Sequence, residues 1–452
     1  MPAILDTPPA SNGVQRYQKL KTDIHRQIVE RIDISKLGHW RQERIQREIR
    51  QLAWQLIDAL PERLNQAERD LLLDELMAEV FGLGPLEKLM NDKSISDILV
   101  NGPNQVYIER DGRLQPVDLV FADNQHLMQI IQRIASKVGR RTDEMSPMVD
   151  ARLEDGSRIN AIIPPLSLQG PVLSIRRFGV RLGIKELLAN TTMSLEMLAL
   201  LRAAVEARVS ILVSGGTGSG KTTMLNALSR FIPRDERLVT IEDSAELCLD
   251  QPHVVRLETR PANMEGVGEV RQRELVRNSL RMRPDRIIIG EVRGEEALDM
   301  LQAMNTGHEG SLTTIHANDT HDALKRLEMM VMMAGFEVPV QVIRQYVASA
   351  ITLVVQLSRL KGGARRVMGI SEIIGVKKRR YILRDLFGFR QTGIADGRAV
   401  GDFYATGKIP NLMTRLKSAG VELSEDLFKE RVQSPAGPTS EAIADLDQRP
   451  RP

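Results

Sequence analysis

Eight residues in the middle of the chain, Gly215-Gly216-Thr217-Gly218-Ser219-Gly220-Lys221-Thr222, fit the phosphate-loop pattern G-x-x-x-x-G-K-[ST]. They constrain the fold strongly, because such a loop works only between a buried strand and a helix. The apolar run Val209-Ser210-Ile211-Leu212-Val213 reads as that strand, and residues 223–231 read as that helix. The glycines let backbone N–H groups turn inward around a phosphate at the positive end of the helix. In that arrangement Lys221 reaches the outer phosphates of ATP and Thr222 offers its hydroxyl oxygen to Mg²⁺, with Thr223 beside them in the first helical turn.

With 452 residues the chain is too long for one ordinary domain and suggests two or three. Its 42% hydrophobic and 27% charged residues describe a folded, soluble protein. A net charge of +3 gives no argument for nucleic acid, and no direct nucleic-acid binding is expected. Basic residues crowd residues 16–50, but interleaved Glu and Asp make this region read as a solvated helical face. Cys248 is the single cysteine, which excludes a disulfide within the chain and a multi-cysteine zinc site. A reducing, cytoplasmic setting and the absence of zinc are therefore expected. Residues 1–15 lack the basic and apolar regions of a signal peptide. No apolar run approaches the roughly 20 residues that cross a bilayer, so any membrane role is expected to be peripheral.

Residues 1–15 read as a disordered leader, and residues 16–80 as a helical bundle with helices near 16–33, 39–60 and 65–81. In the last of these, Ala67, Leu71, Leu72, Leu76 and Val80 mark one expected buried stripe. Residues 81–180 read as an α+β domain, with strands near 95–100, 106–109, 148–153, 158–163 and 171–177 and a helix over 123–138. After a linker at 179–183, strands near 209–213, 237–241, 253–257, 285–289, 311–315 and 352–357 alternate with helices. That alternation predicts an α/β phosphate-loop domain with a mainly parallel sheet over 181–376. Residues 377–434, which open on the basic run Lys377-Lys378-Arg379-Arg380, read as a C-terminal extension, and 435–452 as a disordered tail.

A phosphate loop alone binds nucleotide, whereas hydrolysis also needs carboxylates that hold the metal and orient or deprotonate water. Two acids stand where strands end: Glu242 after Leu238-Val239-Thr240-Ile241, and Glu291 after Arg286-Ile287-Ile288-Ile289-Gly290. In open α/β sheets ligands lie at the carboxyl ends of strands. Either acid alone reads equally well as a solvated residue opening a loop; beside a phosphate loop the pair reads as functional. Gly290 occupies the position where phosphate-loop enzymes usually place a Mg²⁺-binding Asp, which leaves that work to Glu291. In Gly307-His308-Glu309-Gly310-Ser311-Leu312-Thr313-Thr314-Ile315-His316-Ala317-Asn318, Leu312 stands where a zinc-protease helix needs its second His. The segment instead reads as a loop leading into a strand, delivering His316 to the strand end near the γ-phosphate. The alternative for a lone histidine is a structural role. Arg158, Arg176 and Arg177 lie at strand ends before the linker, where they serve either as a phosphate clamp or as surface charges. The cluster Met329, Met330, Met332 and Met333 reads as ordinary packing or a subunit interface.

Together these segments resemble the secretion ATPase superfamily of type II and type IV secretion and type IV pilus machines. Gly215–Thr222 resembles its Walker A loop, Thr240-Ile241-Glu242-Asp243 its aspartate box, Arg286–Glu291 its atypical Walker B strand, and Gly307–Asn318 its histidine box. Gly82-Leu83-Gly84-Pro85-Leu86-Glu87, Asp97-Ile98-Leu99-Val100-Asn101-Gly102, Val106-Tyr107-Ile108-Glu109-Arg110 and Leu280-Arg281-Met282-Arg283-Pro284-Asp285 resemble the CpaF branch, the motor of Tad/Flp pilus assembly. The resemblance implies a hexamer of RecA-like domains, each carrying a hinged, PAS-like N-terminal domain, working against a polytopic inner-membrane platform. It also implies that Glu242 is the catalytic carboxylate, that Glu291 is associated with Mg²⁺, and that His316 senses the γ-phosphate. Arg158, Arg176 and Arg177 correspond to arginines of the hinged domain. A type IV secretion traffic ATPase, or a nucleotide-gated scaffold with little hydrolysis, are the alternatives.

Overall fold

A computed structural model describes residues 20–21, 23–24, 27–28, 31 and 42–433, apart from 61–63, 111, 154, 178–181, 263–266 and 336. The expected leader, the tail from 435 and much of the first helix and the linker lie outside the described residues. Two compact units are present, Met1–Arg177 and Phe178–Pro452.

In the first unit, helix Gln66–Phe81 starts at a capping box: the Asn65 side chain accepts from Glu68 N, and Glu68 Oε2 accepts from Asn65 N. Its buried face is Leu72, Leu73, Leu76 and Glu79, packed with Ile24, Ile28, Ile49 and Ala53. The expected stripe is therefore rotated: Leu71 is 46% exposed and Ala67 is exposed, while a carboxylate lies inside. Glu79 is tolerated there because Lys21 Nζ lies 2.8 Å away and His126 Nε2 is 2.9 Å away. Burial alone would raise its pKa, but the His126 hydrogen bond and the Lys21 charge hold it at about 2.

The same unit contains six antiparallel strands: β1 (Ile95–Asn101), β2 (Val106–Arg110), β3 (Arg113–Val117), β4 (Met148–Arg152), β5 (Arg158–Ile162) and β6 (Val172–Arg176). They run in the order β3-β2-β1-β6-β5-β4. Helix Asn124–Lys137 is capped by Asp123 and buries Leu127, Ile130, Ile131 and Ile134 with the inner faces of β1, β2, β5 and β6. Each such side chain contributes roughly 1.5–3 kcal/mol. Without the edge strand β3, the order β2-β1-β6-β5-β4 with a helix between its halves is that of a PAS-like domain.

The second unit is built on a ten-stranded sheet. Strands β7 (Ile211–Gly215), β8 (Leu238–Glu242), β9 (Val254–Glu258), β10 (Arg286–Val292), β11 (Leu312–Ile315) and β12 (Leu353–Arg359) are parallel, in the order β12-β7-β11-β10-β8-β9. One strand thus separates β7 from β10, the RecA-like order. Strands β7, β8 and β11 are buried along their whole length, as expected of a sheet covered on both faces. Helices Leu195–Glu206 and Lys221–Ser229 pack on one face, and helices Glu296–Asn305, Thr320–Met333 and Val340–Ala350 on the other.

Beyond β12 the sheet continues antiparallel through β13 (Arg365–Lys377), β14 (Arg380–Ala395), β15 (Arg398–Ala405) and β16 (Arg431–Gln433). Residue 377, where the sequence reading begins a separate extension, is the last residue of β13. The basic run is a hairpin turn: Lys377 pairs with Arg380, and Lys378 and Arg379 between them have φ of 50° and 63°. Met330 is buried on helix Thr320–Met333, whereas Met329, Met332 and Met333 are exposed. Among the described residues no helix is long and apolar enough to cross a membrane.

Candidate nucleotide site

The loop from Gly215 to Gly220 leaves the buried end of β7 and enters helix Lys221–Ser229, with Gly218 and Gly220 in the left-handed region. Lys221 Nζ donates to Gly215 O at 3.0 Å and Gly216 O at 3.2 Å, so its charge spans the loop. The space beside Gly216 is open, and Ser219 Oγ is buried with no hydrogen-bond partner. The first turn of the helix adds backbone donors without intrahelical acceptors. These features fit a nucleoside triphosphate with its metal.

Glu242, at the end of β8, is 3% exposed. Its Oε2 accepts from Glu246 N and Leu247 N, both at 2.7 Å, whereas Oε1 is buried without a partner. Burial raises its pKa against the lowering effect of those two N–H donors, so the group is held rigidly and made more basic than an ordinary carboxylate. Gly290 lies against it on β10: a Cβ there would come within 2.9 Å of Glu242 Cγ. A carboxylate-bearing residue at 290 and Glu242 in its present place exclude one another, which accounts for the missing Asp.

Glu291, the next residue, accepts from Arg293 Nη2 at 2.7 Å, and Arg293 Nη1 lies 3.3 Å from Asp243 Oδ2. One guanidinium therefore links the ends of β8 and β10. Thr314 Oγ1 donates to Gly290 O at 2.6 Å and ties β11 to the same strand end. His316 follows β11 directly. Its pKa is lowered first by burial and next by the Lys221 charge, with Glu291 acting in the opposite sense. Lys221, Glu291 and His316 thus share one electrostatic neighbourhood, in which the imidazole is neutral at pH 7.

Residues 79–384 match the family model described as type II/IV secretion system protein. The match takes in the sheet of the first unit and every strand end just described. The chain belongs to the type II/IV secretion system protein family. It is 39% identical over 303 residues to a putative conjugal transfer protein of Mycobacterium tuberculosis, covering 66% of this chain and 86% of that protein. It is 33% identical to the conjugal transfer protein TrbB of Rhizobium radiobacter, covering 65% and 88%. Among solved structures, the VirB11 ATPase of the Brucella suis type IV secretion system, in complex with sulphate, aligns over 65% of this chain and 97% of its own at 29% identity and a TM-score of 0.35.

The three arginines singled out in this family member lie in the first unit. Arg158 on β5 makes a two-pronged contact with Asp150, with Nη2–Oδ2 at 2.7 Å and Nε–Oδ1 at 3.1 Å. Arg176 on β6 is exposed and pairs across the sheet with Arg158 on one side and Asp97 on the other. Arg177 turns its guanidinium onto the carbonyl oxygens of Asp92, Leu89 and Ile95. Arg158 and Arg176 therefore share one row of one sheet face, while Arg177 closes the end of helix Glu87–Asn91.

Two arginines at the site have no signal in the sequence: Arg365 donates from Nε to Gly218 O at 2.9 Å and packs 3.5 Å from the position of a Cβ on Gly220, and Arg293 bridges the ends of β8 and β10. Arg365 lies 147 residues from Gly218, and nothing in its local pattern signals that contact.

Proposed function

We propose that this chain is the ATP-driven motor of a secretion or pilus-assembly machine, working as a homo-hexamer peripheral to the inner membrane and acting on a polytopic platform. The supporting observation is the fixed, buried and basic Glu242 beside a phosphate loop, with Gly290 shaped to admit it. In this reading Glu242 takes the proton of the attacking water, and Lys221 and residues 215–223 hold the phosphates. Thr222 and Glu291 hold Mg²⁺, the latter through water, and His316 donates its single N–H toward the γ-phosphate. The metal, when bound, neutralises charge on the phosphates. Arg158 and Arg176 act as a clamp carried by the first unit.

For the machine served, the N-terminal segments around Gly82–Glu87, Asp97–Gly102 and Val106–Arg110 support Tad/Flp pilin extrusion. The conjugal transfer relatives favour a second reading, a type IV secretion traffic ATPase. Cells carrying Lys221→Ala discriminate the two. Pilin extrusion predicts loss of surface filaments by electron microscopy with conjugal DNA transfer unchanged; intact filaments with lost transfer would select the second reading.

A further inference from the structure

Gln356 lies on β12 directly beside Ser214 of β7, the residue before Gly215. The residue is 6% exposed, and apart from Ser214 the sheet face around it is apolar, built from Leu212, Ile315 and Val354. Burying a primary amide there is costly unless its groups are bonded. Its Nε2 donates to Asn318 O at 3.0 Å and to Ala317 O at 3.4 Å, the two residues that follow His316. Facing carbonyl oxygens fix the amide's orientation, since only its NH₂ end can donate. Its Oε1 is buried without a partner, as is Ser214 Oγ on the adjacent strand.

We infer that Gln356 is a positioning residue that ties the loop carrying His316 to the strand that ends in the phosphate loop. The inference rests on the role proposed for His316. Strand β12 is in register with β7 from Leu353↔Ile211 to Leu357↔Gly215, so a shift at the loop is transmitted to Gln356. Its amide then carries that shift to Ala317 and Asn318 and holds His316 in place relative to Lys221.

Gln356→Met keeps the volume and unbranched shape and deletes both donors. In the full chain kcat for ATP hydrolysis falls about tenfold while KM for ATP stays within about twofold, because positioning rather than binding is lost. In a His316→Ala background the same substitution changes kcat by less than about twofold, since the loop has no imidazole left to place. Gln356→Asn keeps an amide too short to reach both carbonyls and gives the same pattern, which preserves the test if the methionine variant does not fold. If His316→Ala alone leaves kcat unchanged, the role of His316 fails and the inference falls with it. If His316→Ala lowers kcat but Gln356→Met lowers it by the same factor in both backgrounds, the positioning inference alone is overturned.

Discussion

Glu242→Gln lowers steady-state phosphate release by about 10²- to 10⁴-fold, the range for loss of a positioned general base, while binding of a fluorescent ATP analogue persists. The amide keeps the shape of the side chain, and its oxygen can still accept from Glu246 N and Leu247 N. What it loses is the capacity to take a proton. Gly290→Ala reaches a similar loss by another route, because its methyl group would lie within 2.9 Å of Glu242 Cγ and push the carboxylate aside. The pH profile follows from the sign of the shift: a base must be ionised, and burial raises this carboxyl's pKa. Wild-type activity therefore falls as pH drops through a value above that of an ordinary glutamate, and the residual rate of the Gln variant lacks that limb. Phosphate release near the wild-type rate in Glu242→Gln would assign the proton transfer elsewhere.

The second large effect is on stability. Arg286, which opens β10, is 0% exposed. Its Nε and Nη2 donate to Glu236 Oε2 and Oε1 at 2.5 and 2.9 Å, and Nη1 donates to Val205 O at 2.7 Å. Arg208 Nε approaches the same carboxylate at 3.2 Å. Removing one member of a buried pair leaves an uncompensated charge, at a cost of about 3–5 kcal/mol. Glu236→Leu is expected to lower the urea midpoint of the full chain accordingly. Arg286→Met combined with Glu236→Leu is expected to cost less than the two single changes summed, because neither charge remains. Simple additivity of the two would show that the pair is not coupled.

The parallel half of the second unit is legible because short, largely apolar runs such as Ile211-Leu212-Val213, Leu238-Val239 and Ile287-Ile288-Ile289 alternate with helical segments, the mark of a sheet covered on both faces. β13–β16 are not, because β13 and β14 mix polar and apolar residues without a regular period, their pairing shifts register, and the first turn uses unexpected residues. Lys378 and Arg379 take the left-handed conformations usually given to Asn-Gly, so the basic run hid a hairpin. The next turn, Asp396-Gly397 between the paired residues Ala395 and Arg398, did carry a hairpin signal in the sequence. The helix Gln66–Phe81 misled for a different reason. Its buried face includes Glu79, whose partners Lys21 and His126 come from distant segments that periodicity does not weigh. At the candidate site, strand-end acids and the phosphate loop were readable from local pattern. The reason for Gly290, the Arg293 bridge and the Arg365 contact depend on strands meeting across the sheet.

Phosphate release by the purified full chain with Mg²⁺ and ATP, measured beside Lys221→Ala, tests the central claim most directly. The account predicts steady ATP hydrolysis by the wild type and a background rate for Lys221→Ala, with unchanged circular dichroism. Equal rates in the two proteins, or no hydrolysis by the wild type in either monomeric or assembled form, would contradict it.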